Sequence, residues 1–214
     1  MELAQGSKPW IFTMILPVFI TLLGGFLTQT ILQAIFFFLF IIFTGLLVVL
    51  LVFFRDPERN AGEGIVAVAD GVIQQITNEK DPELGECIRV STFMNLHNVH
   101  VNRMPYDGTI MAVDHHPGGY LPAFTKDSER NERVVTTIKT SIGTVKIVQI
   151  AGTLARRIVP YIHKDDIVKK GQRIGLIRLG SRVDLYLPSQ HITVQVKEKE
   201  RVLSGEATIA IIND

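Results

Sequence analysis

Cysteine is all but absent. Cys87 is the only one in 214 residues, so neither a disulfide framework nor a cysteine-based metal site can form within the chain. It stands in the strand-like run Glu86-Cys87-Ile88-Arg89-Val90, where a small buried apolar role suits a lone thiol. An excess of either charge is missing too. The 22 basic residues nearly cancel the 21 acidic ones, and a net +1 gives no reason to expect a nucleic-acid partner. No long period repeats along the chain, which sets solenoids and propellers aside. The most consequential absence is local: from Trp10 to Phe54 there is no charged residue at all.

That apolar run covers 45 residues. As helix it would extend about 68 Å, against a hydrocarbon layer of about 30 Å. The length therefore predicts two spans, Pro9 to Leu27 and Ile31 to Phe54, turning at the polar interruptions Gly24-Gly25 and Thr28-Gln29-Thr30. A cleaved signal peptide is the poorer reading, because its apolar region would be only about 7–15 residues. Lys8 precedes the first span, Arg55 and Arg59 follow the second, and the loop between carries no charge. The positive-inside rule then puts both ends of the hairpin, and the domain after it, on the cytoplasmic side of the cell membrane. The division expected is a membrane anchor over 1–55 and a soluble domain over 56–214.

After Pro57 the chain breaks into short runs rich in Val, Ile and Thr, punctuated by Gly, Pro and Asp. This predicts a mainly β domain behind the transmembrane helical hairpin. The expected strands are Gly64–Ala69, Val72–Ile76, Glu86–Phe93, Thr109–Val113, Val134–Thr140, Thr144–Ala151, Ala155–Ile162, Arg173–Arg178, Val183–Leu187 and Ile192–Val196. Asp70-Gly71 and Ile142-Gly143 read as two-residue hairpin connectors, and Lys164–Gly171 as turn or helix. The segment from Ile167 to Gly175 looks like the turn of a biotinyl/lipoyl-type hammerhead sandwich, though no lysine sits in the usual modification motif.

Three places carry possible chemistry: Asp70, the pair His97 and His100, and Ser181 after Gly180. Each alone has a plain explanation. Asp-Gly and Gly-Ser are turn signals, and two histidines can be surface polarity. Val99, Val101 and the following Asn102-Arg103-Met104-Pro105 favour an extended segment, in which positions three apart face opposite ways. That argues for two separate jobs rather than a shared metal, and no metal site is expected. Together the residues supply a nucleophile, a base and an orienting carboxylate, the set that activates a serine.

Sequence context narrows this. Phe53-Phe54-Arg55-Asp56-Pro57, Ala69-Asp70-Gly71-Val72-Ile73, the run from His97 to Pro105, Asn131-Glu132-Arg133 and Leu179-Gly180-Ser181 occur in the order found in phosphatidylserine decarboxylases. The resemblance extends from Phe53 to the C-terminus, and the ending Gly180-Ser181-Arg182-Val183-Asp184-Leu185-Tyr186-Leu187-Pro188 resembles the compact, archaeal-type branch. Many members have Ser or Thr where Arg182 stands here, a change of context rather than of the reacting hydroxyl.

The resemblance implies a self-processing enzyme. His100, oriented by Asp70, would deprotonate Ser181, which attacks the Gly180 carbonyl. Ester formation, elimination and hydrolysis would cut the chain between 180 and 181 and convert Ser181 into a covalent pyruvoyl group. That cofactor would condense with the amine of an anionic serine phospholipid and take up electrons as CO2 leaves, with His97 protonating the product carbon. The implied partners are the lipid, the membrane and the two fragments of the chain as a heterodimer, with room for a homo-oligomer. His115, His116, Arg156, Arg157 and Arg182 have weaker claims on an anionic headgroup. Two other readings stay open on the residues alone: a membrane-bound serine protease using Asp70, His100 and Ser181, and a non-enzymatic hammerhead adaptor.

Overall fold

The computed structural model describes residues 2–119, 121, 130–152, 157–178 and 181–213. They form two compact units, Met1–Glu58 and Arg59–Asp214. In the first, helix α1 (Lys8–Leu27) and helix α2 (Ile31–Phe53) pack on each other. Their 20 and 23 residues correspond to about 30 and 35 Å, enough to cross a hydrocarbon layer. Phe12, Leu16, Phe19 and Ile41 are each more than 60 % exposed, an apolar surface that water alone would not favour. Pro9 falls in the first turn of α1, where a missing N–H breaks no bond. The chain reverses at Thr28–Thr30. Gly24 and Gly25 lie inside α1 instead, where a Cβ would come within 2.6–2.8 Å of the rings of Phe36 and Phe37. They permit close helix packing rather than the turn. Strands β1 (Glu2–Leu3) and β2 (Arg55–Asp56) pair at the other end of the hairpin.

The second unit is β throughout its described length. Its strands are β3 (Ile65–Val66), β4 (Gly71–Asp81), β5 (Gly85–Met94), β6 (Val101–Arg103), β7 (Gly108–His116), β8 (Arg133–Thr140), β9 (Gly143–Ala151), β10 (Ile158–Pro160), β11 (Ile167–Val168), β12 (Arg173–Ile177), β13 (Ser181–Pro188), β14 (Ile192–Val194), β15 (Arg201–Val202) and β16 (Thr208–Ile212). Among the described residues eight of them form one sheet in the order β11-β7-β8-β9-β13-β5-β4-β15, beside three-stranded sheets β10-β12-β6 and β14-β16-β3. All these pairings are antiparallel.

The two-residue period of β13 sorts its side chains. Val183, Leu185 and Leu187 join the core with Ile73, Val90, Ile138 and Ile147, all buried. Each such side chain contributes roughly 1.5–3 kcal/mol of transfer free energy. Arg182, Asp184 and Tyr186 take the opposite face. There Lys146 of β9 reaches both carboxylate oxygens of Asp81 of β4 at 2.8 Å, although β13 and β5 lie between them. The sheet must curl toward that face for the two to meet.

The β-rich reading holds, and four local expectations change. Asp70-Gly71 connects no hairpin, since β3 pairs with β16 and β4 with β5 and β15. The β8–β9 hairpin does form, but Thr140 pairs with Gly143, so Ser141 and Ile142 make the turn and Gly143 takes φ 107° as the first residue of β9. Lys164–Gly171 contains a short strand, β11, paired with β7. The segment before His100 is not extended: Asn98 N donates to Asn95 O at 2.9 Å and Asn95 N to Asn98 Oδ1 at 2.8 Å, closing a turn that ends just before β6. Asn at both ends supplies the side-chain acceptor that such a turn uses, and this outweighs the flanking valines.

Candidate active site

Two strand pairings converge on the candidate residues. Ser181 opens β13 and lies opposite both Met94, the last residue of β5, and Ala151, the last of β9. Beyond the Asn95–Asn98 turn, β6 pairs with β12, and one step further Ile177 N donates to His100 O at 3.3 Å. The turn that joins β5 to β6 and the connection that joins β12 to β13 are thus paired at both ends. His100 and Ser181 stand at this one corner of the domain, and both are fully buried. Leu179 and Gly180, on the N-terminal side of Ser181, lie outside the described residues. His97 sits within the turn and is exposed, so the two imidazoles occupy different environments.

Asp70 holds the corner from below. Its carboxylate accepts from both terminal nitrogens of Arg59, the Nη2–Oδ2 contact being 2.9 Å. It also takes the backbone amides of Ser204 at 2.8 Å and Val99 at 3.4 Å. The Arg59 and Asp70 side chains are only 7 % and 4 % exposed, so this is a buried ion pair whose remaining lone pairs are used by backbone. Gly71 follows because a Cβ there would lie 2.1 Å from Phe93 O. The Asp-Gly pair is therefore a requirement of close strand approach, with no turn involved. What Asp70 grips near the histidine is the amide of Val99, the residue before His100.

The histidine ring is set by a backbone carbonyl. His100 Nδ1 lies 2.9 Å from Asn98 O. A carbonyl only accepts, so Nδ1 carries the proton and, in the neutral ring, Nε2 carries the lone pair. Nε2 is buried as well. Ser181 Oγ donates to Met94 Sδ at 3.5 Å. A thioether is a weak acceptor, so turning the hydroxyl to a stronger base costs little. From Met94 a buried polar row continues, with Asn102 Nδ2 at 3.8 Å from Sδ and Gln149 Nε2 donating to Asn102 Oδ1 at 2.7 Å.

The strand position opposite Ser181 is braced separately. Asn131 Nδ2 donates to Ala151 O at 2.8 Å, and Ala151 N donates to Glu132 O at 2.9 Å. This gives the Asn131-Glu132 motif a concrete task. Arg59, Ser204, Asn98 and Met94 carry contacts that the sequence does not announce. Arg59 in particular reads there only as a charge flanking the membrane span. Arg182 departs from its expected role: it is buried on the opposite face of β13 and donates to Asp184 at 3.0 Å, so it offers no cation to a headgroup. Arg156 lies outside the described residues. Among the described residues no group of three His, Cys, Asp or Glu is arranged to hold a metal ion.

Comparison with known proteins adds a second line of support. Residues 46–210 match the family profile described as phosphatidylserine decarboxylase. The chain is 43% identical over 213 residues to the phosphatidylserine decarboxylase proenzyme of Streptomyces coelicolor, covering 97% of this chain and 91% of that one. It is 42% identical to the putative archaetidylserine decarboxylase proenzyme of Methanococcoides burtonii, covering 97% and 95% of the two chains. With the corresponding protein of Methanosarcina barkeri the identity is 43%, over 98% of each chain.

Proposed function

We propose a catalytic function from one premise: this chain belongs to the phosphatidylserine decarboxylase family. It decarboxylates the serine headgroup of phosphatidylserine, or of a related serine phospholipid, to the ethanolamine lipid and CO2. The protease and adaptor readings draw no support from its relatives. The observation that carries the mechanism is the position of Ser181, fully buried at the head of a strand paired on both sides, with the His100 turn alongside.

Processing begins at Ser181. His100 Nε2 takes the Oγ proton, Oγ attacks the carbonyl carbon of Gly180, and the peptide C–N bond gives way to an ester. Loss of the Ser181 Cα proton and cleavage of Cβ–Oγ free a chain ending in the Gly180 carboxylate. The unsaturated residue left behind adds water and loses ammonia, leaving a pyruvoyl group on the fragment 181–214. Asp70 acts in this step as a positioning residue, through Arg59 on one side and the Val99 amide on the other.

The fold suits a cofactor made in place. After cleavage β13 would remain between β5 and β9 over Ser181–Tyr186, while β15 and β16 stay paired with β4 and β3. The two fragments would stay together as a heterodimer. The pyruvoyl carbonyl supplies the electron sink for loss of CO2. His97, exposed in the turn, can exchange protons with solvent, as a group that reprotonates carbon turnover after turnover must. The apolar helices anchor the enzyme in the membrane, with the catalytic unit on the cytoplasmic side that Lys8 and Arg55 favour.

Intact-mass analysis of purified protein tests the processing scheme. We expect fragments of residues 1–180 and 181–214, the smaller carrying a pyruvoyl terminus, and full-length protein from Ser181→Ala. An active, uncleaved chain would refute it.

A further inference from the structure

We propose that Gln149 and Asn102 are positioning residues for self-processing, which act through Met94 to hold the Ser181 hydroxyl in the rotamer that attacks. This rests on the functional reading above and assigns the part of the fold that sets its nucleophile. A serine side chain has three staggered positions about χ1, and a given attack uses one of them. Ser181 Oγ donates to Met94 Sδ at 3.5 Å, and Met94 lies directly opposite it at the end of β5. Alone, a methionine is a poor anchor, with three rotatable bonds and a weakly accepting sulfur. Here the sulfur has a second donor, Asn102 Nδ2 at 3.8 Å. The Asn102 amide is committed in turn: Gln149 Nε2 donates to its Oδ1 at 2.7 Å, so its nitrogen end is the one that serves Met94.

The setting fits that task. All four side chains are fully buried, so water does not compete for their bonds. Gln149 stands on the side of β9 that also carries Val145, Ile147 and Ala151, all members of the apolar core. A glutamine there contributes a partner bond rather than apolar packing. The fold also leaves room for it, since a Cβ on Gly175 of β12 would lie 3.2 Å from Gln149 Nε2 and 2.9 Å from Val159 O. The row joins the chain segments that carry both reacting groups. Asn102 lies on β6 two residues after His100, and Gln149 lies two residues before Ala151, which is opposite Ser181. The weak link at the sulfur suits the chemistry, because a thioether fixes Oγ yet yields its proton to an imidazole. Oγ then departs in the Gly180 carboxylate, so the row acts before cleavage and loses its end group afterwards.

The test times cleavage by mass in full-length protein synthesised cell-free into detergent micelles. Met94→Leu conserves volume and removes the acceptor. With three staggered wells open to Oγ, it is expected to slow cleavage about threefold or more. Gln149→Leu should slow cleavage likewise, and the double variant no further than Met94→Leu alone, because Gln149 acts through the sulfur. Gln149→Glu keeps the shape and, as the protonated acid, the donor. It should cleave like the wild type at about pH 6 and fall behind it as pH rises, and it decides the case if Gln149→Leu fails to fold. Turnover of phosphatidylserine per pyruvoyl group in matured Gln149→Leu should stay within about twofold of wild type in kcat and KM, since the hydroxyl is gone by then. Wild-type cleavage rates in Met94→Leu or Gln149→Leu, losses that multiply in the double variant, or a Gln149→Glu that tracks the wild type at every pH would each overturn the inference alone. A comparable loss of turnover in the matured Gln149→Leu enzyme overturns it too, since the row would then serve the pocket and not the hydroxyl. A wild type that never cleaves before Ser181 overturns the functional reading and this inference with it.

Discussion

Asp70 offers a test in which stability and chemistry come apart. Its carboxylate neutralises Arg59 and accepts the amides of Ser204 and Val99, with both charged side chains more than nine-tenths buried. In Asp70→Asn the guanidinium keeps its burial and loses its counter-charge. Breaking a buried pair from one side costs about 3–5 kcal/mol, a large share of a typical total of about 5–15 kcal/mol. Replacing both partners, as in Arg59→Met with Asp70→Leu, removes the charges together and should recover most of that loss. Neither variant restores the full set of acceptors at Val99. Urea unfolding should be measured in a Ser181→Ala background, so that every variant is a single uncut chain. Processing is then followed by mass in the Ser181 background. We expect Asp70→Asn to be destabilised and slow to cleave, and the apolar pair to be nearly as stable as wild type yet still slow. Wild-type cleavage in the apolar pair would refute the idea that Asp70 holds the His100 turn through Val99.

Three further outcomes follow from the same geometry. His97→Ala should cleave normally and carry a pyruvoyl group trapped by a carbonyl-reactive amine, yet lose about 10²–10⁴ in turnover, while His100→Ala should accumulate full-length chain; the reverse pattern would exchange the two roles. Deleting Met1–Phe54 should leave processing intact by mass, because Asp70, His100 and Ser181 all lie in the second unit, while turnover of lipid in vesicles falls. Lys146→Met should cost about 1–3 kcal/mol near pH 7, by urea unfolding, since Lys146 is mostly buried against Asp81 and Glu83. Burial pushes the Asp81 carboxyl up, but the Lys146 bond and the Glu83 and Leu84 amides outweigh it and hold it below its ordinary value. That contribution is present above an unfolded value of about 3.9 and is lost as pH falls through the lower folded one. Burial lowers Lys146, yet its bonds to Asp81 and Glu83 win and raise it, so its share is present below about 10.4 and lost as pH rises through the higher folded value. The wild-type advantage should be widest between about pH 5 and 10 and shrink below pH 4; a gap independent of pH would mean the ion pair is not its source.

The sequence was legible where a residue's own chemistry dictates its setting. An uncharged run of that length has few fates besides two helices, and alternation of Val, Ile and Thr with polar residues yields strands. Short strands such as Arg201–Val202 and Ile167–Val168 escape because two residues carry no period, and their pairing with β4 and β7 is decided by distant chain. The candidate residues were legible for a different reason, as motifs in order. What the motifs did not carry is how the residues are held.

That missing part is long-range. Arg59 meets Asp70 across eleven residues, but Ser204 reaches the same carboxylate across 134 and Gln149 reaches Asn102 across 47. No local pattern marks such partners, since a lone arginine after an apolar helix and a lone serine after a short strand look like solvated surface. They become necessary only once the sheet has buried Asp70 and demanded partners for each of its lone pairs. The same logic accounts for Arg182. Arg182 alternates onto the face of β13 that also carries Asp184, whose carboxyl burial pushes up even with that guanidinium beside it, and is consumed there.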